Sequence, residues 1–123
     1  MRLFSVVPSL DTPVCSIQTK KFNDAVAKLP AGVQPYTVSC DLPFAQARFC
    51  GAEKVERMVS LSDHRDVSFG TAYGVLIKEL RLLTRSIFVV DASDKIVYVQ
   101  IVPEITSEPN YDQALEAVRK AAR

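Results

Sequence analysis

The stretch Leu3-Phe4-Ser5-Val6-Val7-Pro8-Ser9-Leu10-Asp11-Thr12-Pro13-Val14-Cys15 passes from one kind of regular structure to another. Leu3 to Val7 is an apolar run rich in β-formers and stopped by Pro8, which predicts a buried strand. Thr12-Pro13 predicts a helix entry, because threonine can cap free backbone N–H groups and proline's fixed φ suits the first helical position. Val14, Ile17, Phe22, Ala25, Val26 and Leu29 then recur at near-helical spacing, with Gln18, Lys20, Lys21, Asp24 and Lys28 as the polar face, until Pro30-Ala31-Gly32 ends the pattern. Gln34 to Cys40 reads as a second strand. Strand, helix, strand predicts a right-handed crossover and parallel pairing.

Working outward, Asp41-Leu42-Pro43 is another helix start, with Phe44 to Cys50 as a short helical segment ending near Gly51. Arg57 to Leu61 is predicted as a short strand and Val67 to Tyr73 as a short helix. Ser86 to Val90 and Ile96 to Val102 are strands of a hairpin turned by Asp91-Ala92-Ser93-Asp94-Lys95. Glu108-Pro109-Asn110 opens a final helix with Ala114, Leu115, Val118 and Ala122 on its apolar face. The pattern is α/β, a mixed central sheet with helices on its faces.

At 123 residues the chain has the size of one domain, expected to span 1–123. Its 48% hydrophobic and 24% charged residues are those of an ordinary folded protein, and a net charge of +1 directs it to neither nucleic acid nor an anionic membrane. No apolar run approaches the roughly 18 to 20 residues of a membrane span, and the opening residues do not form a signal peptide, so a cytoplasmic location is expected. Cys15, Cys40 and Cys50 form no CxxC pair and have no histidine cluster beside them, which fits neither a disulfide scaffold nor a zinc site.

Cys15 falls in the first turn of its helix, where unpaired N–H groups and the positive end of the dipole favour a thiolate. Position alone leaves two readings, a reactive thiol or a small side chain packed beneath the helix. If the Ser86 to Val90 strand runs antiparallel to the Leu3 to Val7 strand, Arg85 lies at the sheet edge where Cys15 begins its helix. The Gln34 to Cys40 strand ends at the same edge and feeds the segment carrying Cys50. Cys15, Cys50 and Arg85 are therefore expected to converge.

Pro8-Ser9-Leu10-Asp11-Thr12-Pro13-Val14-Cys15 contains the PxxxTxxC pattern of peroxiredoxins. Asp41-Leu42-Pro43-Phe44-Ala45-Gln46-Ala47-Arg48-Phe49-Cys50-Gly51-Ala52-Glu53 resembles the resolving-cysteine segment of bacterial thiol peroxidases. Leu83-Thr84-Arg85 and Glu104-Ile105-Thr106-Ser107-Glu108-Pro109-Asn110-Tyr111 also match that family. The resemblance implies an atypical two-cysteine peroxiredoxin on a three-layer thioredoxin-like fold. It makes Cys15 the peroxidatic cysteine, oxidised to sulfenic acid by hydrogen peroxide or an organic hydroperoxide, and Cys50 the resolving cysteine that condenses with it into an intramolecular disulfide. Thr12 matches the hydroxyl that hydrogen-bonds the peroxide, Pro8 the residue shielding the site, and Arg85 the guanidinium that stabilises the thiolate. Thioredoxin is the implied reductant, a homodimer the implied assembly, and no metal or organic cofactor is required.

The family's N-terminal hairpin and a further strand and helical turn have no counterpart here, so an N-terminally truncated member is expected, with an exposed sheet edge and a tendency to self-associate. This keeps a second function in view, a catalytically inert thioredoxin-fold interaction module. A disulfide reductase is disfavoured by the missing CxxC. Cys40 is read as a buried strand residue, His64 as a solvated loop side chain, and Phe44 and Phe49 as either core or light anchors of a segment that must move.

Overall fold

The apolar run after Met1 sits at the centre of the sheet, paired on both sides, as a strand buried on both faces requires. The computed structural model describes residues 1–104 and 106–122, so Ile105 of the 104–111 stretch lies outside the described residues. In chain order, β1 (Arg2–Val6) leads to α1 (Pro13–Ala25), extended by a 3-10 turn at Val26–Lys28. Next come β2 (Gln34–Ser39), α2 (Pro43–Ala52), β3 (Val59–Ser62) and α3 (Ser68–Tyr73). A small hairpin of β4 (Leu76–Ile77) and β5 (Leu82–Leu83) precedes β6 (Ser86–Val90), β7 (Ile96–Ile101) and α4 (Tyr111–Ala121).

The main sheet has the order β3-β2-β1-β6-β7. β1 pairs parallel with β2 and antiparallel with β6, placing Phe4 opposite Tyr36 on one side and Phe88 on the other. The sheet is therefore mixed, as the sequence predicts. Period-two alternation divides β1 between two layers. Leu3 packs with Phe22 of α1 and Val118 of α4, whereas Phe4 and Val6 face Val38, Val75 and Phe88. Leu3, Val6 and Val7 are wholly buried, each worth about 1.5–3 kcal/mol relative to exposure.

The second layer closes with an aromatic cluster: the Phe69 and Tyr73 rings of α3 stack at 4.2 Å, and Tyr73 meets Phe88 edge-on at 4.9 Å. α3 starts after Val67, which has a left-handed φ of 46°. Its first turn is satisfied by Asp63, whose carboxylate accepts from the N–H groups of Phe69 (2.9 Å) and Gly70 (2.8 Å).

On the other layer, α4 begins at Asn110, whose side chain accepts from the Gln113 N–H at 3.0 Å. Just before it, Glu108 accepts from the Tyr111 hydroxyl at 2.7 Å and pairs with Lys21 at 3.1 Å. These partners, Tyr111 first, hold the Glu108 carboxyl below its ordinary range, while burial and then Glu108 push the Tyr111 phenol up.

Three expectations are corrected and one element is added. The buried face of α1 consists of Cys15, Gln18, Thr19, Phe22 and Asn23, while Ile17 is 42% exposed. Apolar periodicity misplaces this face because its inner positions carry polar groups that bond one another. Thr12 sits at the N-cap but makes no side-chain cap; its hydroxyl donates to the Ser9 carbonyl at 2.9 Å instead. Ala122 is the exposed C-cap of α4, beyond the helix's apolar stripe. The β4–β5 hairpin had no sequence signal, because two-residue strands are too short to show a period.

Candidate active site

The carboxyl end of β1, the start of α1, the end of β2 and the residue before β6 meet at one sheet edge, which follows from β1 running parallel to β2 and antiparallel to β6. Cys15 is wholly buried there in a cluster with Val7 and Leu10. Arg85, also buried, directs Nη2 at the Cys15 sulfur, 3.2 Å away, and Nη1 at the Gln18 carboxamide oxygen, 2.8 Å away. The Gln18 Nε2 group in turn donates to the Ser5 hydroxyl at 2.8 Å. A buried guanidinium is held only where its donors find acceptors, and here the sulfur is one of them.

Gln18 and Ser5 escaped the sequence reading. One turn from Cys15, Gln18 must share its face, and that spacing is the signal that could have found it. A recess of about 240 Å³ beside the guanidinium is lined by Pro8, Thr12, Pro13, Val14, Arg85 and Thr106. The structure thus brings together Pro8, Thr12, Cys15 and Arg85. A larger recess, about 690 Å³ between β7 and α4, is lined by residues such as Val97, Tyr98, Glu116 and Lys120 and contains none of the cysteines.

Cys50, expected to converge with Cys15 and Arg85, belongs to a different cluster, because α2 lays it over the sheet beside β3. Half-buried on α2, it packs against the Leu3–Phe22 cluster and lies 3.1 Å from the Ser60 hydroxyl of β3. The neighbouring Phe49 packs against both that cluster and the one containing Cys15. All three thiols are free. Cys40, expected as a buried strand residue, is only half-buried and lies one position past the end of β2 with the opposite layer, against the Phe4 and Val38 cluster, where burial first and Asp63 next push its thiol up. Among the described residues, no group of His, Cys, Asp and Glu is arranged to hold a metal ion. Within the same residues, no helix is long and apolar enough to cross a membrane.

Asp41 ties the two cysteine-bearing segments together, another role the sequence did not reveal. Its carboxylate accepts from the Ser9 hydroxyl (2.7 Å), the Leu10 N–H (2.8 Å) and the Ser39 hydroxyl (2.7 Å). The loop before Cys15 is thereby fixed to the residues that lead into α2.

Comparison with known proteins gives the family to which this fold belongs. The Redoxin family profile matches residues 2–115. The chain is 57% identical over 121 residues to a thiol peroxidase of Listeria monocytogenes serotype 4b, covering 98% of this chain and 73% of that protein. It is 56% identical over 117 residues to a thiol peroxidase of Bacillus subtilis, covering 95% and 70% of the two chains. A solved peroxiredoxin-like protein from Aquifex aeolicus superimposes with a TM-score of 0.91 at 45% identity, over 98% of this chain and 71% of that one. The same fold recurs in Enterococcus faecalis AhpC, with a TM-score of 0.89 at 18% identity over 98% and 74% of the chains. A thiol held by a buried guanidinium, in a chain this similar to those enzymes over nearly its whole length, makes it a member of the Redoxin family and, within it, of the bacterial thiol peroxidases.

Proposed function

We propose that this thiol peroxidase works through Cys15 and Cys50 as an atypical two-cysteine pair. The Cys15 thiolate attacks one oxygen of a hydroperoxide; the O–O bond breaks, the departing oxygen takes a proton and leaves as water or an alcohol, and Cys15 becomes a sulfenic acid. The Cys50 thiol then attacks that sulfur, expelling water and forming an intramolecular disulfide. Thioredoxin returns both thiols by exchange through a mixed disulfide. The reaction as written uses no metal or organic cofactor.

The observation that carries this reading is the Arg85 donor 3.2 Å from the Cys15 sulfur, beside an open recess. A guanidinium there faces negative charge on the sulfur and the charge that develops on the departing oxygen. In this reading the Thr12 hydroxyl, its proton given to the Ser9 carbonyl, accepts a hydrogen bond from the peroxide, and Pro8 keeps bulk water from the thiol. Hydrogen peroxide and small organic hydroperoxides are the substrates, the location is the cytoplasm, and a homodimer is the working assembly. In this reading α2 unwinds locally to carry Cys50, whose sulfur lies against the Ser60 hydroxyl, to the geometry a disulfide with Cys15 requires.

Intact-mass measurement after one equivalent of peroxide tests the scheme. Loss of two hydrogens is the expected result; an unchanged mass, or stable oxygen addition with Cys50 present, contradicts it.

A further inference from the structure

α2 is secured differently from the other long helices. Of its ten residues, Gln46 alone is buried; Phe49 and Cys50 are half-buried, and Phe44 is 84% exposed. α1 and α4, by contrast, bury Phe22 and the group Ala114, Leu115 and Val118. The carboxamide of Gln46 donates to the Ser39 hydroxyl of β2 at 3.1 Å and to the Leu61 carbonyl of β3 at 2.9 Å. Besides the packing of Phe49 and Cys50 and the Cys50–Ser60 contact, the one buried side chain of α2 ties it to two strands of the sheet through this pair of hydrogen bonds. Such bonds are weak in net terms because water offers replacements when the helix leaves.

We infer that Gln46 is a positioning residue, a polar latch whose two hydrogen bonds set the rate at which α2 opens and releases Cys50 for attack on oxidised Cys15. The inference rests on the peroxidase reading above. Two reactions compete for the Cys15 sulfenic acid: condensation with the Cys50 thiol, which forms the disulfide and water, and attack on a second hydroperoxide, which gives a sulfinic acid and water or an alcohol. A tighter latch delays the first and favours the second. The latch therefore fixes the peroxide concentration at which the enzyme inactivates itself.

Gln46→Met keeps the length of the side chain and removes both donors. In the reduced variant, amide hydrogen exchange over residues 43–52 should quicken about tenfold, the effect of losing two hydrogen bonds worth together ~1.4 kcal/mol net, with β1 and β6 unchanged. The peroxide concentration giving half sulfinic acid should rise by about the same factor, while the rate of the first oxidation of Cys15 stays constant. Unchanged exchange over 43–52, faster exchange throughout the sheet, or faster local exchange with an unmoved sulfinic threshold would each overturn the latch. The unmutated protein gives an independent arm: its α2 amides should exchange by a local opening well before those of β1, and exchange of both only through global unfolding also overturns it. If the disulfide still forms in Cys50→Ser, the peroxidase reading fails and the latch fails with it; if Cys50 proves essential and exchange is unmoved, only the latch is lost.

Discussion

Arg85 Nη2 and Cys15 Sγ lie 3.2 Å apart in the interior although 70 positions separate them in the chain. Lysine cannot reproduce the fork that reaches both the sulfur and Gln18. Arg85→Lys should slow the reaction of Cys15 with hydroperoxide by about 10²–10³, the usual cost of losing one preorganised donor. Stopped-flow measurement of the first oxidation step, with Cys15→Ser as the inactive baseline, checks this; a rate within twofold of the parent would reduce the guanidinium to a packing role.

Oxidation should join Cys15 to Cys50 and leave Cys40 free. Cys40 belongs to the opposite layer of the sheet, and burial disfavours its thiolate. Non-reducing peptide mapping reads the linkage directly, and Cys40→Ala should retain turnover to within about twofold, as suits a small packed side chain. A Cys15–Cys40 bridge would contradict the assignment.

Gln18→Leu should destabilise the fold by about 1–3 kcal/mol, because the Ser5 hydroxyl and the Arg85 Nη1 group each lose a buried partner. Urea unfolding measures the loss. The same variant should slow Cys15 oxidation less than Arg85→Lys does, since the guanidinium itself remains.

Gly70 marks a close approach between α3 and the β4–β5 hairpin. A Cβ at this position would stand 2.6 Å from Leu83 Cδ2 and 3.2 Å from Leu76 Cβ. Leu83 is wholly buried and has little room to retreat, so Gly70→Ala should cost about 1–3 kcal/mol through overpacking. Thermal denaturation should register a lower Tm with the first oxidation rate retained.

The Glu108–Tyr111 contact should make stability depend on pH at both ends. Glu108 is depressed below its ordinary value of 4.5, so its contribution is full above that pH and is lost as pH falls through the folded value. Tyr111 is raised above its ordinary value of 10.0, so the neutral phenol contributes fully below that pH and less as pH rises beyond it. The advantage of the parent over Glu108→Gln should stay below about 1 kcal/mol, the scale for exposed pairs, and should shrink in acid. Equal slopes of unfolding free energy against pH in the two proteins would contradict it.

The order of β1, α1, β2 and α2 was legible because Pro8, Pro13, Pro30 and Pro43 punctuate it and β1 opens on a mostly apolar run of β-formers. The convergence of Cys15 and Arg85 followed from strand direction alone, but the same argument put Cys50 with them, and it packs instead against the Leu3–Phe22 cluster beside Ser60. The inner face of α1 was not legible. Gln18 and Asn23 look solvent-facing by composition, and only their partners, Ser5 and Arg85 for one and the Arg57 N–H for the other, make burial affordable. Asp41, Gln46 and Ser60 were hidden for a related reason: each acts across elements distant in sequence, where no local period carries a signal.

The central place of β1 also bears on the order of folding. Arg2 pairs with Gln34 through one edge and with Val90 through the other, so β1 completes its pairing only when β6, far along the chain, joins it. Until that loop closes, Cys15 has no guanidinium beside it. In the proposed scheme the peroxide reactivity of Cys15 is thus a property of the folded sheet, and a partly unfolded copy keeps its thiol in a less reactive setting. Labelling of Cys15 by a peroxide-type electrophile can accordingly serve as a clock for the arrival of β6.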